Sequence, residues 1–223
     1  MDMLDAIRNR HSVRKYLDKP ICASEKEVLE SLIDQINHQS GLNIQLFLNE
    51  PKAFGSIIAT YGLLRNVRNY IAIVGKDIQG VDEAAGYYGE QIVLKAQVMG
   101  LNTCWVAGTY KKSAVPCLMK DDERLICVIA IGYGASQGKP HRSRPEKDLY
   151  HCSRASVPEW FRRGLDAAMM APTAVNQQKF RLTLLENDKV KAEATGGFYS
   201  NIDLGIVKCH FEIGSGRDGS VWA

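Results

Sequence analysis

The sequence lacks the paired spacings of a metal centre or a dithiol centre. None of its six cysteines forms a C-x-x-C pair, and its five histidines show no spacing typical of metal ligands. Zinc sites and thioredoxin-type redox sites both depend on such pairs. We therefore predict no metal site and six reduced thiols, with Cys127 as a small core residue in an apolar run.

Long apolar runs and a strong charge imbalance are also missing. No segment reaches the roughly 20 apolar residues needed to span a bilayer, and the first residues lack the basic and then apolar pattern of a signal peptide. The 28 basic and 25 acidic residues give a net charge of +3, which is too small to require nucleic acid or an anionic membrane as a partner. We expect a cytoplasmic protein with a small-molecule partner.

The sequence contains no familiar nucleotide-binding loop. Residues 132–139 superficially suggest a phosphate loop, but Tyr133 stands where a glycine is required and Pro140 where Ser or Thr would bind magnesium. No G-x-G-x-x-G motif joins a strand to a helix, so a Rossmann site is not supported. Cys104 has no flanking base, and no Ser-His-Asp order or carboxylate pair stands out.

Apolar periodicity predicts mixed helices and strands. Ser24 and Glu27 have the spacing of a capping box, Gly100 is placed to end a later helix, and Ser156 is a possible cap before Pro158. Helices are predicted at 4–7, 24–41, 89–99, 158–171 and 202–213. Strands are predicted at 44–48, 70–74, 125–131 and 180–185, with a short strand or a turn at 104–106 and a flexible tail at 214–220.

Two parts of the chain echo each other in order. A helix followed by a strand occurs at 24–48 and again at 158–185, and a weak match between two later helices has the same order. We predict a longer first unit, residues 1–150, and an abbreviated second unit, residues 151–223. Chance similarity between amphipathic helices is the alternative.

Two arginine pairs are the strongest candidates for ligand binding. Arg10, Ser12 and Arg14 alternate, so in an extended segment they line one face and can converge on a phosphate. Arg142 and Arg144 share a face in the same way. Bringing both pairs together would require an anion, because like charges repel. Solvated basic segments on the surface are the alternative for each pair.

Two turns could contact a ligand. Residues 171–178 form a polar turn whose amides and hydroxyl could bind the edge of a planar heterocycle, although an ordinary connection would have the same composition. The small residues Ala107 and Gly108 end a second turn, residues 100–108, where backbone N–H groups could approach a ligand closely.

Together these segments resemble the FMN-dependent nitroreductase family. Arg10, Ser12 and Arg14 match its R-x-S-x-R/K signature, and residues 171–180 resemble its A-P-S-x-x-N-x-Q-P-W turn. Residues 100–108 resemble its G-L-G-T-C-W-x-G-G turn, and residues 132–133 with 142–144 resemble its final G-Y and R-x-R. Two features depart from the family: Lys179 and Phe180 replace Pro-Trp, and the asparagine-containing turn lies in the second unit rather than after the first helix.

The resemblance implies a fold and a cofactor. It implies the α+β nitroreductase fold, an antiparallel-dominated sheet core wrapped by helices, with two related units forming a pseudo-dimer that holds one FMN. Arg10, Ser12, Arg14, Arg142 and Arg144 would bind the FMN phosphate. Pro172, Thr173 and Asn176 would border the ring and ribityl chain, and the backbone of Ala107 and Gly108 would face flavin N5. Arg65 or Arg68 would stabilise negative charge near flavin N1 and O2.

The resemblance also implies an activity. The protein would be an oxidoreductase that takes two electrons from NAD(P)H through FMN and gives them to a nitroaromatic, a quinone or a related acceptor, with ping-pong kinetics. It could be monomeric, because its two units would replace a homodimer. A non-catalytic flavin-binding protein is the alternative, and an α+β protein whose basic loops bind a generic anion is a third possibility.

Overall fold

Five helices and seven strands make up the regular structure of the described residues. The computed structural model describes residues 1–55, 63–152, 154 and 156–223. The helices are α1 (Met3–Asn9), α2 (Ala23–Ser40), α3 (Val81–Val98), α4 (Glu159–Ala168) and α5 (Ser200–Ser215). The strands are β1 (Asn43–Phe47), β2 (Tyr70–Lys76), β3 (Asn102–Val106), β4 (Glu123–Gly132), β5 (Tyr150–Cys152), β6 (Phe180–Leu184) and β7 (Val190–Ala194). The predicted mixture of helices and strands is confirmed.

The chain divides into two compact units that are discontinuous in sequence. Unit 1 comprises residues 1–9, 82–91 and 141–223, and unit 2 comprises residues 10–81 and 92–140. These bounds differ from a division at residue 150, because α1 and part of α3 belong with the C-terminal elements. The relatedness of two halves of the chain stays a prediction.

Unit 2 is built on an antiparallel sheet with the order β1-β2-β4-β3. β2 and β4 are the central strands, and Ile73 lies opposite Cys127 between them. Their long apolar runs are buried, as the sequence predicts for interior strands, and Cys127 belongs to the core. β3 lies at one edge with Cys104 opposite Ala130. This edge strand carries the residues that position the candidate site.

The capping box of α2 lies two residues before the predicted one. Cys22, not Ser24, is the N-cap, and its backbone N–H donates to the Glu25 carboxylate at 2.8 Å. Glu25 also accepts a hydrogen bond from the Tyr133 hydroxyl at 2.7 Å. This tertiary contact selects Glu25 over Glu27 as the capping acid. The helix ends, as predicted, at Gly41, whose φ of 70° is left-handed.

α3 begins eight residues before its predicted start at Gly89. It extends from Val81 and ends before Gly100, whose φ of 84° agrees with the predicted stop. Two glycines in its first half, Gly86 and Gly89, lower helix propensity and hid this part of the helix from sequence analysis. Gly86 is explained by the close packing of α5 against it.

Gly86 of α3 and Gly205 of α5 mark a close helix crossing within unit 1. A Cβ atom at Gly205 would strike the Glu83 carbonyl oxygen and lie 2.6 Å from the Tyr87 nitrogen. A Cβ atom at Gly86 would strike the Ile202 carbonyl oxygen and lie 3.1 Å from the Ile206 nitrogen. Each glycine therefore meets the residue three before and the residue one after the other glycine. The contact is reciprocal, as in a two-fold arrangement.

The sheet of unit 1 has the order β5-β6-β7. β5 is parallel to β6 and β7 is antiparallel to it. Sequence analysis found β6 but missed β5 and β7, which are short and alternate with polar residues. The N-cap of α4 is Pro158, so the possible cap at Ser156 is wrong.

The predicted flexible tail is also wrong. Residues 214 and 215 end α5, and residues 219–221 form a 3₁₀ turn with Val221 buried. The Trp222 indole N–H donates to the Glu212 carboxylate at 2.6 Å, and the Ala223 N–H donates to the Val190 carbonyl at 3.0 Å. These contacts fix the tail, because the buried Val221, the half-buried Trp222 and a backbone bond offset its loss of conformational entropy.

No disulfide bond joins any of the six cysteines. Across residues 1–55, 63–152, 154 and 156–223, no helix combines the length and the apolar character needed to cross a membrane.

We expect Gly205→Ala to destabilise unit 1 by about 3 kcal/mol or more, since its methyl group would overlap helix backbone that no rotamer change can move. Chemical denaturation monitored by circular dichroism measures this. Gly219→Ala is the matched control, because its Cβ would lie 3.9 Å from the nearest heavy atom, and it should change stability by less than about 0.5 kcal/mol. Equal effects of the two changes would contradict the backbone crossing.

Candidate functional site

Residues 10–16, here called the arginine segment, are held extended within unit 2. The Val13 N–H donates to the Thr103 carbonyl of β3 at 3.0 Å. Further along, the Arg65 N–H donates to the Arg14 carbonyl at 2.8 Å, and the Tyr16 N–H donates to the Arg65 carbonyl at 3.1 Å. Parallel bridges therefore fix the segment against β3 and against Arg65. These bridges meet the condition under which alternating side chains share one face of the segment.

The three motif side chains of the arginine segment all act on the Cys104 thiol. Burial raises the pKa of Cys104 on β3. Three nearby groups act in the opposite direction: the Arg14 and Arg10 guanidiniums and the Ser12 hydroxyl, which hydrogen-bonds the sulfur. Arg10 is only 5% exposed, whereas Arg14 reaches solvent. Arg10, Ser12 and Arg14 are therefore all neighbours of one buried thiol.

Arg14 and Arg65 are cations that no nearby acid neutralises. Both are exposed, and among the residues that the structure describes neither forms an ion pair with a carboxylate. Arg68 differs, because its Nε lies 3.1 Å from the Asp18 carboxylate and its Nη1 donates to the Asn49 side chain at 3.3 Å. Arg65 rather than Arg68 therefore adds positive charge beside the arginine segment.

The glycine-rich loop after β4 supports the arginine segment. The Leu17 N–H donates to the Tyr133 carbonyl, and the Ala135 N–H donates to the Lys15 carbonyl, both at 2.8 Å. The buried Asn102 holds the loop, since its side-chain oxygen accepts from the Gly134 N–H at 2.9 Å. These N–H groups are already used, which explains physically why the phosphate-loop resemblance of residues 132–139 fails.

Ala107 and Gly108 follow β3 directly. β3 pairs with β4 as far as Val106, after which the chain bends with Ala107 half-buried and Gly108 exposed. The same strand therefore positions this bend and, at Thr103, the arginine segment. At about 3.3 Å per residue, the bend lies about 13 Å along the strand from Thr103.

Residues 172–178, here called the asparagine turn, have an unusual backbone within unit 1. Val175, Asn176 and Gln178 all have positive φ, at 46°, 56° and 46°. Only glycine adopts this region readily, and a β-branched residue there is a true outlier. Val175 is also 89% exposed. Such strain persists only when the surroundings enforce it, and it concentrates at functional sites.

Hydrogen bonds join the asparagine turn to the second arginine pair. The Asn176 side-chain amide donates to the Arg142 carbonyl at 3.1 Å. The buried Gln178 donates to the same carbonyl at 2.9 Å and accepts from the Arg144 N–H at 2.8 Å. Its own N–H donates to the Thr173 hydroxyl oxygen at 3.0 Å. The structure therefore gathers Thr173, Asn176 and the Arg142–Arg144 segment in one place.

Pro172 differs in exposure from the side chains of Arg142 and Arg144. Pro172 is buried, whereas the Arg142 and Arg144 side chains are exposed. Neither guanidinium pairs with a carboxylate in the part of the chain that the structure describes. Unit 1 thus presents two solvent-facing cations beside the asparagine turn.

Asp203 was not singled out by sequence analysis as a site residue, although it lies under the asparagine turn. Its carboxylate accepts from the Ala174 N–H at 2.9 Å and from the Gln177 amide at 2.7 Å. Burial raises the pKa of Asp203 to about 6, and these two hydrogen bonds only partly oppose the rise. Its position in the first turn of α5 does not indicate, from the sequence alone, that Asp203 contacts this turn. Gln178 was visible only as part of the turn motif.

A cavity of about 270 Å³ in unit 2 is lined by Arg68, the predicted alternative to Arg65. Lys19 and Asn49 also line it, whereas Arg10, Ser12, Arg14 and Arg65 do not. The arginine segment is the better candidate, because it has converging cations without a described carboxylate, whereas the cavity's Arg68 is already paired with Asp18. Over the described ranges no cluster of His, Cys, Asp or Glu could hold a metal ion.

Comparisons with known proteins give one family and one fold. The model of the family described as "Putative TM nitroreductase" matches residues 2–215. No curated protein matches the chain. A structure described as a putative nitroreductase from Thermotoga maritima is 21% identical with a TM-score of 0.69, over 96% of this chain and 83% of that one.

Two further solved structures share the fold. A putative nitroreductase in complex with FMN, from Desulfovibrio desulfuricans, is 18% identical with a TM-score of 0.53, over 71% of this chain and 99% of that one. NfrA1 nitroreductase from B. subtilis is 16% identical with a TM-score of 0.54, over 71% of this chain and 76% of that one. The nitroreductase fold predicted from the sequence is confirmed.

The raised pKa of Asp203 predicts a specific dependence of stability on pH. A carboxyl group that holds its proton more tightly in the folded state stabilises that state as the pH falls below its folded pKa of about 6. Between pH 7 and pH 5 we expect Asp203 to add about 1 kcal/mol of stability. Asp203→Asn should lose this increment. Urea denaturation of both proteins at the two pH values measures the difference, and parallel pH dependences would contradict it.

Proposed function

We propose that this chain, which belongs to the family described as "Putative TM nitroreductase", is an FMN-dependent oxidoreductase. The observation that carries the proposal is the arginine segment itself, which is bridged to Thr103 and Arg65 and brings Arg10, Ser12 and Arg14 near Cys104, with Arg14 exposed. Two guanidiniums and a hydroxyl there match the charge and the hydrogen-bonding capacity of a phosphate dianion. The FMN complex of the Desulfovibrio relative, which has the same fold, supports FMN as the ligand.

The charges of the arginine segment support a bound anion. Like charges held close together repel, and Arg14 and Arg65 have no described carboxylate to relieve that repulsion. A phosphate would supply the missing negative charge. We assign Arg65 rather than Arg68 to the negative charge near flavin N1 and O2, because Asp18 already neutralises Arg68.

The asparagine turn is assigned to the same cofactor. Thr173 uses its oxygen as an acceptor for the Gln178 N–H, so its hydroxyl proton remains available to an acceptor on the flavin. Asn176 and Pro172 would border the ring and ribityl chain, and Arg142 and Arg144 would contribute positive charge toward the phosphate. The backbone at Ala107 and Gly108 would face flavin N5.

The chain's residues would bind and orient rather than carry out the chemistry. When bound, FMN would supply the hydride acceptance from NAD(P)H and the transfer of two electrons to a nitroaromatic, a quinone or a related acceptor. The residues named above hold no proton that the reaction requires. If reductant and acceptor use the same place in turn, the kinetics are ping-pong.

The pseudo-dimer and the monomeric state are part of the proposal. The reciprocal contact of Gly86 and Gly205 supports two related halves, since a two-fold arrangement generates paired contacts of this kind. A chain with both halves needs no second copy to complete its site. The six free cysteines support a reducing, cytoplasmic location.

A non-catalytic flavin-binding protein is the second candidate. The residues that replace the family's Pro-Trp favour it, because Phe180 is buried in β6 and presents no aromatic surface to a ligand, while Lys179 is exposed. Such a protein would bind FMN without passing electrons from NAD(P)H.

We expect the purified protein to bind one FMN per chain and the bound flavin to bleach on anaerobic addition of NADH or NADPH. Absorbance near the flavin bands measures both properties. Bound flavin that does not bleach with either nucleotide would favour the non-catalytic candidate. A colourless protein that takes up no added FMN would refute both.

We expect Arg14→Ala and Arg65→Ala each to weaken FMN binding at least about tenfold, since each removes a charge-assisted contact of about 1.5 kcal/mol or more. Arg68→Ala should change the affinity less than about threefold, because this guanidinium is already paired with Asp18. Fluorescence titration of FMN gives the dissociation constants, and Arg163→Ala, an exposed cation paired with Glu159, controls for the change in net charge. A loss for Arg68→Ala equal to that for Arg65→Ala would overturn the choice of Arg65.

A further inference from the structure

Asp203 is a buried acid with polar donors but no described cation. It is 5% exposed, and its carboxylate oxygens accept two contacts from the Ala174 N–H, at 2.9 and 3.1 Å, and one from the Gln177 amide at 2.7 Å. Among the residues that the structure describes, no Lys, Arg or His lies within ion-pair distance of it. Every donor to this carboxylate belongs to the asparagine turn.

Keeping this carboxylate buried costs stability. An acid removed from water without a cation is stabilised only by its hydrogen bonds. Its raised pKa, caused first by burial, reflects the same cost, and at neutral pH the group is still mostly ionised. A residue that lowers stability is explained more readily by a role in binding than by a role in folding.

Gln177 links Asp203 to a neighbouring loop through hydrogen bonds. Its side-chain N–H₂ group donates both to the Asp203 carboxylate and to the Phe198 carbonyl, each at 2.7 Å. Its side-chain oxygen lies where a Cβ atom of residue 197 would be, so only glycine, with a φ of 97°, fits at Gly197. Turning the amide over would place this oxygen against the Phe198 carbonyl oxygen. The orientation of Gln177 therefore requires an acceptor at residue 203.

We propose that Asp203, acting through Gln177 and the Ala174 N–H, is a positioning residue that holds the asparagine turn in the strained shape in which it binds FMN. This inference rests on the function proposed above. It assigns to a residue outside every recognised motif the task of setting flavin affinity.

The strain of the turn explains why such a residue is needed. Val175, Asn176 and Gln178 would each gain by relaxing to negative φ. Gln178 and Arg142 secure the C-terminal half of the turn through their hydrogen bonds. Asp203 is the described side chain from another element that secures its N-terminal half, at Ala174, together with Gln177.

Asp203→Asn isolates this role, because it keeps the size of the side chain and one acceptor oxygen for Ala174. Its new NH₂ group meets a donor in either orientation, because one carboxylate oxygen accepts from Gln177 and Ala174 and the other accepts from Ala174. The substitution therefore sets a donor against either the Gln177 amide or the Ala174 N–H. Gln177→Leu removes the same link from the other side. Asp166→Asn, at an exposed position of α4, is the control for the change in charge.

The experiment compares two quantities for each full-length variant at pH 7.5: the FMN dissociation constant from fluorescence titration and the melting temperature of the flavin-free protein. We expect Asp203→Asn to raise the dissociation constant at least tenfold while its melting temperature stays equal to, or above, that of Asp166→Asn. Gln177→Leu should raise the dissociation constant in the same direction.

The outcomes separate this inference from the proposed function. If the unaltered protein binds FMN and Arg14→Ala weakens it, but Asp203→Asn changes affinity less than threefold, the inference is wrong and the function stands. If Asp203→Asn lowers affinity and melting temperature together, Asp203 is structural and the inference is again wrong. If the unaltered protein binds no FMN, the function fails and the inference fails with it.

Discussion

The arrangement of unit 2 depends on the pairing of the arginine segment with β3 and with Arg65. This segment belongs to no sheet of regular strands, yet its backbone hydrogen bonds to Thr103 and Arg65 are used as fully as those of a strand. Because the backbone is satisfied in this way, the motif side chains need not hold the segment in place. The exposed Arg14 guanidinium, for example, forms no ion pair with a described carboxylate.

In unit 1, backbone groups likewise hold the second arginine pair in place. The Arg142–Arg144 segment is held by its backbone groups, which bond to the side chains of Asn176 and Gln178. The arginine side chains again point away from the contacts that fix the segment and reach solvent. In both units, exposed guanidiniums form no ion pair with a described carboxylate; they are those of Arg14, Arg65, Arg142 and Arg144.

Elements whose structure depends on one local rule could be predicted from the sequence, whereas elements that depend on a distant contact could not. The alternation of Arg10, Ser12 and Arg14 predicted an extended segment, and Gly41 and Gly100 predicted helix ends, because each depends on its own backbone. The cap at Cys22 was missed because Tyr133 fixes Glu25 from across the unit. The start of α3 was missed because Gly86 is explained only by α5. Asp203 carried no signal, since its importance comes entirely from a turn that the sequence places 26 to 29 residues away.

The contact of Gly86 with Gly205 has a mechanical consequence. Where two helices meet through side chains, small changes of rotamer let them slide past each other. Here backbone contacts backbone, so no side chains separate α3 and α5 at the crossing. We expect the crossed parts of the two helices to move together as one rigid body, here called the strut. Asp203 lies on that strut, two residues before Gly205. Asp203, which accepts hydrogen bonds from Ala174 and Gln177 of the asparagine turn, therefore starts from a backbone position that the crossing fixes.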